Sequence, residues 1–293
     1  AEVWKAHQVR TGKQVAVKVF KRKTGVNWLL LQREVEQLVR LDKHPNVVSL
    51  LDADLGGPVP CYVTDLLEAG SLEKHVKEGV PVSLDRALHC MEGIAQALAY
   101  VHAKGIIHCD LKPANVLLDE QGNARVADFG QSRVVTDTAG ALGTLFYMAP
   151  EQAVVSSPDE PVQPDVRWDV YGLGATMYAL LTGAVPYEVA LTETLLTASS
   201  LDERLKMYRE YLLKNPLKAR SVKGKRMDED LAAILDRCLE PDAEKRYGSI
   251  GAVLADLRAR REKKPVWPLA HRRTYRLKLM LRRNRVAAAM VGA

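Results

Sequence analysis

The chain has 293 residues, a formal net charge of +6, 47% apolar residues and 27% charged residues. These values exclude a disordered or fibrous chain and leave room for one large domain or two lobes. Its four cysteines, Cys61, Cys90, Cys109 and Cys238, are too scattered for a disulfide framework or paired metal ligands, which fits a reducing, cytosolic setting. The first residues carry no signal-peptide pattern.

Taken from the N-terminus, Val15-Ala16-Val17-Lys18-Val19 is β-branched and apolar, and predicts a buried strand carrying one lysine. Residues 29–41 set Leu31, Val35, Leu38 and Leu41 at a helical period, with Glu34 and Glu36 on the same helix. Gly56-Gly57-Pro58-Val59-Pro60 predicts a turn, Cys61-Tyr62-Val63-Thr64 a strand, and Asp65-Leu66-Leu67 a linker. From there to about Arg261 the pattern is mainly helical, as in residues 84–102. Asp169 opens an apolar helix running to about Leu181, and periodic leucines over residues 188–228 predict extra helix with no chemistry of its own. No internal repeat is present.

The chemistry concentrates in His108-Cys109-Asp110-Leu111-Lys112-Pro113-Ala114-Asn115, followed by Asp128-Phe129-Gly130. The order and spacing suit phosphoryl transfer from metal-bound ATP, a reaction that needs mainly positioning and charge neutralisation. Asp110 can orient and deprotonate an attacking hydroxyl, and Lys112 can neutralise charge on the group in flight. Asp128 and the amide oxygen of Asn115 are hard ligands suited to Mg2+.

This set resembles the catalytic core of protein kinases, and Lys112-Pro113 with Gly143-Thr144 and Tyr147-Met148-Ala149-Pro150-Glu151 resembles the Ser/Thr branch. The resemblance covers roughly residues 1–260 and implies a two-lobed α+β fold. The divisions it implies are an incomplete small lobe over 1–64, a large lobe over 65–261 and a basic tail over 262–293. It further implies that Lys18, paired with Glu34 in preference to Glu36, grips the ATP phosphates. Val3, Ala16 and Leu117 would sandwich the adenine, and linker backbone from Asp65 to Leu67 would bind the ring edge. Thr64, a small residue before the linker, would leave a rear pocket open. Thr144 would buttress Asp110 and Lys112, and Arg246 would pair with Glu151. The cofactors implied are ATP and Mg2+, and the partners are protein substrates bearing Ser or Thr.

Two departures from the family pattern stand out. Ala1-Glu2-Val3-Trp4-Lys5-Ala6 matches only the tail of the family's glycine hairpin, and Gly12 sits in a later turn, Thr11-Gly12-Lys13. The chain therefore reads as a fragment of a kinase or an incomplete gene product. Cys109 replaces the arginine that many kinases carry between His and Asp, so phosphates at Ser132, Thr136 or Thr138 should have weak effects. Two rival readings stay open, a kinase-like scaffold without transfer activity and a small-molecule kinase of the same fold.

Basic residues crowd residues 258–285, and an uncharged apolar run occupies 286–293. Eight residues cannot cross a bilayer, which takes about 20. A basic flank before an apolar run is nevertheless how a cytoplasmic segment meets a span. The expectation is a cytoplasmic domain at the inner face of the membrane, anchored through sequence beyond the C-terminus and resembling bacterial membrane-anchored Ser/Thr kinases. A solvated tail is the second reading and nucleic-acid binding the third.

Overall fold

The computed structural model describes residues 2–20, 26–41, 43–129, 141–154, 163–219 and 227–283. A small antiparallel sheet with one helix forms the N-terminal lobe, and a larger, mainly helical lobe follows.

Strands β1 (Glu2–His7) and β2 (Gln14–Val19) form a hairpin. Its turn closes through Gln8 N–H to Lys13 O at 2.8 Å and uses Gly12 at φ 68, a left-handed conformation that suits glycine. With β3 (Leu50–Asp54) and β4 (Cys61–Asp65) the spatial order is β1-β2-β4-β3. Val3, Lys18 and Tyr62 lie in one cross-strand row, and Lys5, Ala16 and Thr64 in the next. Because side chains alternate at period two, both rows share one face.

Helix α1 (Val26–Val39) covers this lobe, burying Leu31, Val35 and Leu38 while Glu36 points to solvent. It starts and ends earlier than the period alone suggested, since Leu41 lies beyond its last turn. The strand expected to be buried is only half so: Val15 is buried, but residues 16–19 keep one face toward the cleft.

The large lobe is built on α3 (Leu84–Ala103) and α5 (Val166–Thr182), with the short α2 (Glu73–Lys77) preceding them. Asp165 caps α5 by accepting the Arg167 N–H at 2.7 Å, and Gly183 at φ 68 ends it. A β-carbon on Gly172 would sit 3.0 Å from Leu111 O, so this glycine brings the core helix against the loop over residues 108–115. Between α3 and α5 the sequence reading passed over a two-strand hairpin, β5 (Val116–Leu118) and β6 (Ala124–Val126).

After α4 (Ala141–Leu145) and α5, helices α6 (Glu188–Leu196) and α7 (Leu201–Lys214) form in the region where extra helix was expected. Helices α8 (Glu229–Cys238), α9 (Ile250–Arg261) and α10 (Arg273–Arg283) complete the lobe. A second apolar cluster joins Cys109, Phe146, Trp168 and Tyr171 to Leu205 and Tyr208 of α7. Tyr208 also donates its hydroxyl proton to Met148 O at 2.7 Å. The region with no chemistry of its own thus fixes the segment that follows Thr144.

Among the described residues no helix is long and apolar enough to cross a membrane. The apolar run 286–293 and the proposed phosphate acceptors Ser132, Thr136 and Thr138 lie outside the described residues, as does Gly130.

Candidate active site

The loop over residues 108–115 hangs from Asp169 near the start of α5. This 1% exposed carboxylate accepts the backbone N–H of His108 at 2.9 Å and of Cys109 at 2.8 Å. His102 on α3 contacts the same carboxylate through Nε2 at 2.7 Å. These bonds, with Gln152 Nε2 donating to Cys109 O at 2.5 Å, hold Cys109 at φ 65, a conformation non-glycine residues seldom adopt. His108 is fully buried against Phe129, with ring centroids 5.1 Å apart. Its Nε2 donates to Ala127 O at 2.9 Å and its Nδ1 accepts the Asp110 N–H at 3.3 Å, a pairing that assigns the neutral Nε2-protonated tautomer.

Asp110 emerges from this scaffold into the cleft. Lys112 Nζ lies 2.8 Å from Asp110 Oδ2 and 2.9 Å from Thr144 Oγ1, so one ammonium ties the catalytic loop to α4. Asn115 donates from Nδ2 to Asp110 O at 2.8 Å and Oδ2 at 3.0 Å. The amide protons being turned toward Asp110, Asn115 Oδ1 is left as the acceptor of that group. Such a set can align a hydroxyl on Asp110 Oδ1 while holding Oδ2 in place.

The second part of the site is ionic. Lys18 Nζ lies 2.9 and 3.2 Å from the two oxygens of Glu34 and 2.8 Å from Asp128 Oδ1. Tyr62 donates its hydroxyl proton to Glu34 Oε1 at 2.6 Å. Burial works against the Lys18 charge, but Asp128 and Glu34 outweigh it and hold its pKa above the ordinary lysine value. Burial raises Glu34, and the neighbouring Asp128 charge adds to this against the pull of Lys18. Asp128 goes the other way: burial opposes its charge, yet the Lys18 contact brings its pKa below the usual carboxylate range. Burial and the Glu34 charge push Tyr62 far up, so it stays a proton donor.

Asp128 sits at φ 60, which turns its carboxylate from the end of β6 toward Lys18. Asp128 and the Asn115 amide oxygen offer two hard donors. Among the described residues no cluster of three or more His, Cys, Asp or Glu could enclose a metal. Mg2+ is commonly bound by one or two protein oxygens and completes its shell from phosphates and water.

Of the proposed adenine contacts, Ala16 and Thr64 share the sheet face that carries Lys18. Ala16, Thr64, Asp65, Leu67 and Leu117 are half-buried, whereas Val3 is 67% exposed at the sheet edge opposite Lys18. Asp65 also receives Lys13 Nζ at 2.8 Å, which ties the linker to the first hairpin. Farther off, Arg246 donates two parallel bonds to Glu151 at 2.6 and 2.7 Å beneath the segment that follows Thr144.

Sequence reasoning did not single out Tyr62, His102 or Gln152, nor the direct bond between Lys18 and Asp128. For Tyr62 a signal existed, since it stands two residues before Thr64 and so shares its face of β4.

Residues 1–256 match the description of the protein kinase domain. The chain is 30% identical to the serine/threonine-protein kinase PknB of Mycobacterium tuberculosis over 271 residues, covering 88% of this chain and 40% of that protein. It is 34% identical over 201 residues to PknB of Mycolicibacterium smegmatis, covering 64% of this chain and 31% of that one. The corresponding figures for PrkC of Bacillus subtilis are 31% over 196 residues, with 64% and 29% covered. The chain thus spans between 29 and 40% of the length of these curated relatives.

Proposed function

This chain belongs to the protein kinase family, and from that premise we propose that it transfers the γ-phosphoryl group of ATP to serine or threonine hydroxyls of protein substrates. The observation that carries the reading is the lysine bridge, in which Lys112 Nζ holds Asp110 Oδ2 at 2.8 Å and Thr144 Oγ1 at 2.9 Å. In this reading Asp110 orients the incoming hydroxyl and accepts its proton. Lys112 neutralises charge on the phosphoryl group in passage, and Thr144 fixes the lysine. Lys18, clamped by Glu34, grips the α- and β-phosphates.

Asn115 and Asp128 would hold Mg2+, which when bound supplies charge neutralisation across the phosphates. Ala16, Leu117 and Val3 would flank the adenine, backbone from Asp65 to Leu67 would read its edge, and Thr64 would leave the rear pocket open. The small lobe over 1–64, the large lobe over 65–261 and the tail over 262–293 are proposed as the working divisions. A cytoplasmic location at the inner face of the membrane is supported by the basic run and the uncharged stretch 286–293. The similarity to serine/threonine-protein kinases supports the hydroxyl acceptor.

The test is transfer from labelled ATP with Mg2+ to a generic basic protein, with Asp110→Asn alongside. The substitution should cut transfer by about 10²–10⁴-fold and leave nucleotide binding in place. Equal loss of binding and turnover would show that Asp110 holds the nucleotide and is not the base.

A further inference from the structure

Charge is divided unevenly between the catalytic body and the C-terminal segment. Residues 258–285 hold twelve Lys and Arg against one acidic residue, Glu262, whereas the whole chain carries +6. The remaining residues together are therefore net −5. Most of this basic charge lies on or beside α10, and that helix shows an unusual face.

Tyr275 and Leu279, each 5% exposed, pack α10 against the lobe, where Tyr275 accepts the Val266 N–H through its hydroxyl at 3.2 Å. On the opposite side Leu277, Met280 and Leu281 are 53, 49 and 49% exposed. At 3.6 residues per turn these three fall within an arc of about 100° pointing away from the domain. Arg273 lies on the same arc, and Arg276 and Lys278 flank it on either side. Lys278 is 3.7 Å from Glu229, but among the described residues Arg273 and Arg276 have no acidic partner within 4.0 Å.

The face borders a groove of about 460 Å³ lined by the cations Lys263, Arg273 and Arg276 and by Pro265, Leu277 and Met280. Lys263 reaches it from the end of α9, on a left-handed backbone with φ 54. Among the described residues no acidic side chain lines the groove.

We propose that α10 and this groove form a docking face for an anionic phospholipid surface, with the apolar arc entering the headgroup boundary and the flanking cations meeting the phosphates. This combination belongs to helices that lie in a membrane interface, whose affinity joins buried apolar area to attraction for anionic lipid. A polynucleotide would satisfy the cations but gain nothing from Leu277, Met280 and Leu281, and among the described residues no exposed aromatic lines the groove for base stacking. The proposal is independent of the transfer chemistry. It is also distinct from anchoring through the apolar run 286–293, because every residue it uses lies between Lys263 and Leu281.

The experiment is co-sedimentation of the full chain with phosphatidylcholine vesicles, with and without phosphatidylserine. Binding should require phosphatidylserine and weaken as salt is raised. Arg273→Gln with Arg276→Gln should lower the partition coefficient about 30-fold, as loss of two surface cations predicts. Leu277→Ser with Leu281→Ser should lower it as well without any change of charge. Ala288→Asp with Val291→Asp, which places charge in the tail, should leave binding intact. Loss of binding in this last variant alone would assign the contact to the run 286–293 and overturn the proposal. Equal binding to both vesicle types would do the same, as would binding of a polynucleotide without binding of phosphatidylserine vesicles. Melting of the variants at the wild-type temperature, and transfer to a soluble substrate, keep these outcomes separate from misfolding and from failure of the kinase reading.

Discussion

Two buried ionic groups in this molecule use similar residues to opposite ends. In the large lobe, Arg246 is 2% exposed and its donors are taken up by Glu151, Glu240 O, Pro241 O and Arg167 O, all within 3.2 Å. Its guanidinium also lies 5.0 Å from the ring centroid of Tyr171. One cation meets one carboxylate, and carbonyls absorb the rest. In the cleft, the single Lys18 ammonium faces two carboxylates, Glu34 and Asp128. That cluster has an excess negative charge and a glutamate whose pKa burial drives upward. The first group is electrostatically complete and acts as a rivet. The second remains open to a further cation, which is what a site for metal-bound phosphates requires.

The comparison breaks most sharply if the rivet is removed. Arg246→Ala should destabilise the fold by about 3–5 kcal/mol, since it strands Glu151 beneath the segment carrying Thr144. Denaturant titration measures this, and a loss below about 1 kcal/mol would mean that the clamp is not structural.

Lys18→Met should cost less, about 2 kcal/mol at neutral pH, while abolishing transfer. Its loss should also depend on pH in a set direction. Without the ammonium, Glu34 is raised further and stays protonated in the native state at pH values where the unfolded chain has released that proton, above about 4.3. The native state then binds more protons, so the deficit of the variant against wild type should widen as pH rises from 4 toward neutrality. A deficit independent of pH would remove Glu34 from the cluster.

A smaller effect on transfer is expected at Tyr62. Tyr62→Phe deletes one hydrogen bond to a charged acceptor, worth about 1.5–3 kcal/mol, and frees Glu34 to leave Lys18. We expect a several-fold rise in KM for ATP with a lesser change in kcat. Tyr62→Leu should behave alike, and an unchanged KM in both would leave the tyrosine a packing residue only.

The parts of this architecture legible in the sequence are those whose signal is local. The run around Lys18, the period of Leu31, Val35 and Leu38, and the order Asp110, Lys112, Asn115 each carry their meaning within a short window. What stayed hidden is set by contacts distant in sequence. Nothing near Cys109 or Asp128 announces a left-handed backbone, because Asp169, Gln152 and Lys18 impose it from 43 to 110 residues away. Strands β5 and β6 have three residues each, too few for a period to show. Helices α6 and α7 could be expected from their leucines, but the bond from Tyr208 to Met148 depends on a partner 60 residues away.

Asp169 has a consequence for time rather than energy. A loop that performs chemistry is commonly among the first regions to open, yet here the amides of His108 and Cys109 both end on a carboxylate that is 1% exposed inside the core helix. Releasing either proton to solvent requires α5 to give way, and α5 gives way only with the lobe. In hydrogen–deuterium exchange these two amides should therefore keep pace with the slowest core amides of α3 and α5, while those of the first hairpin exchange early. The catalytic loop would then keep its shape for the lifetime of the fold, leaving conformational change to the cleft above it.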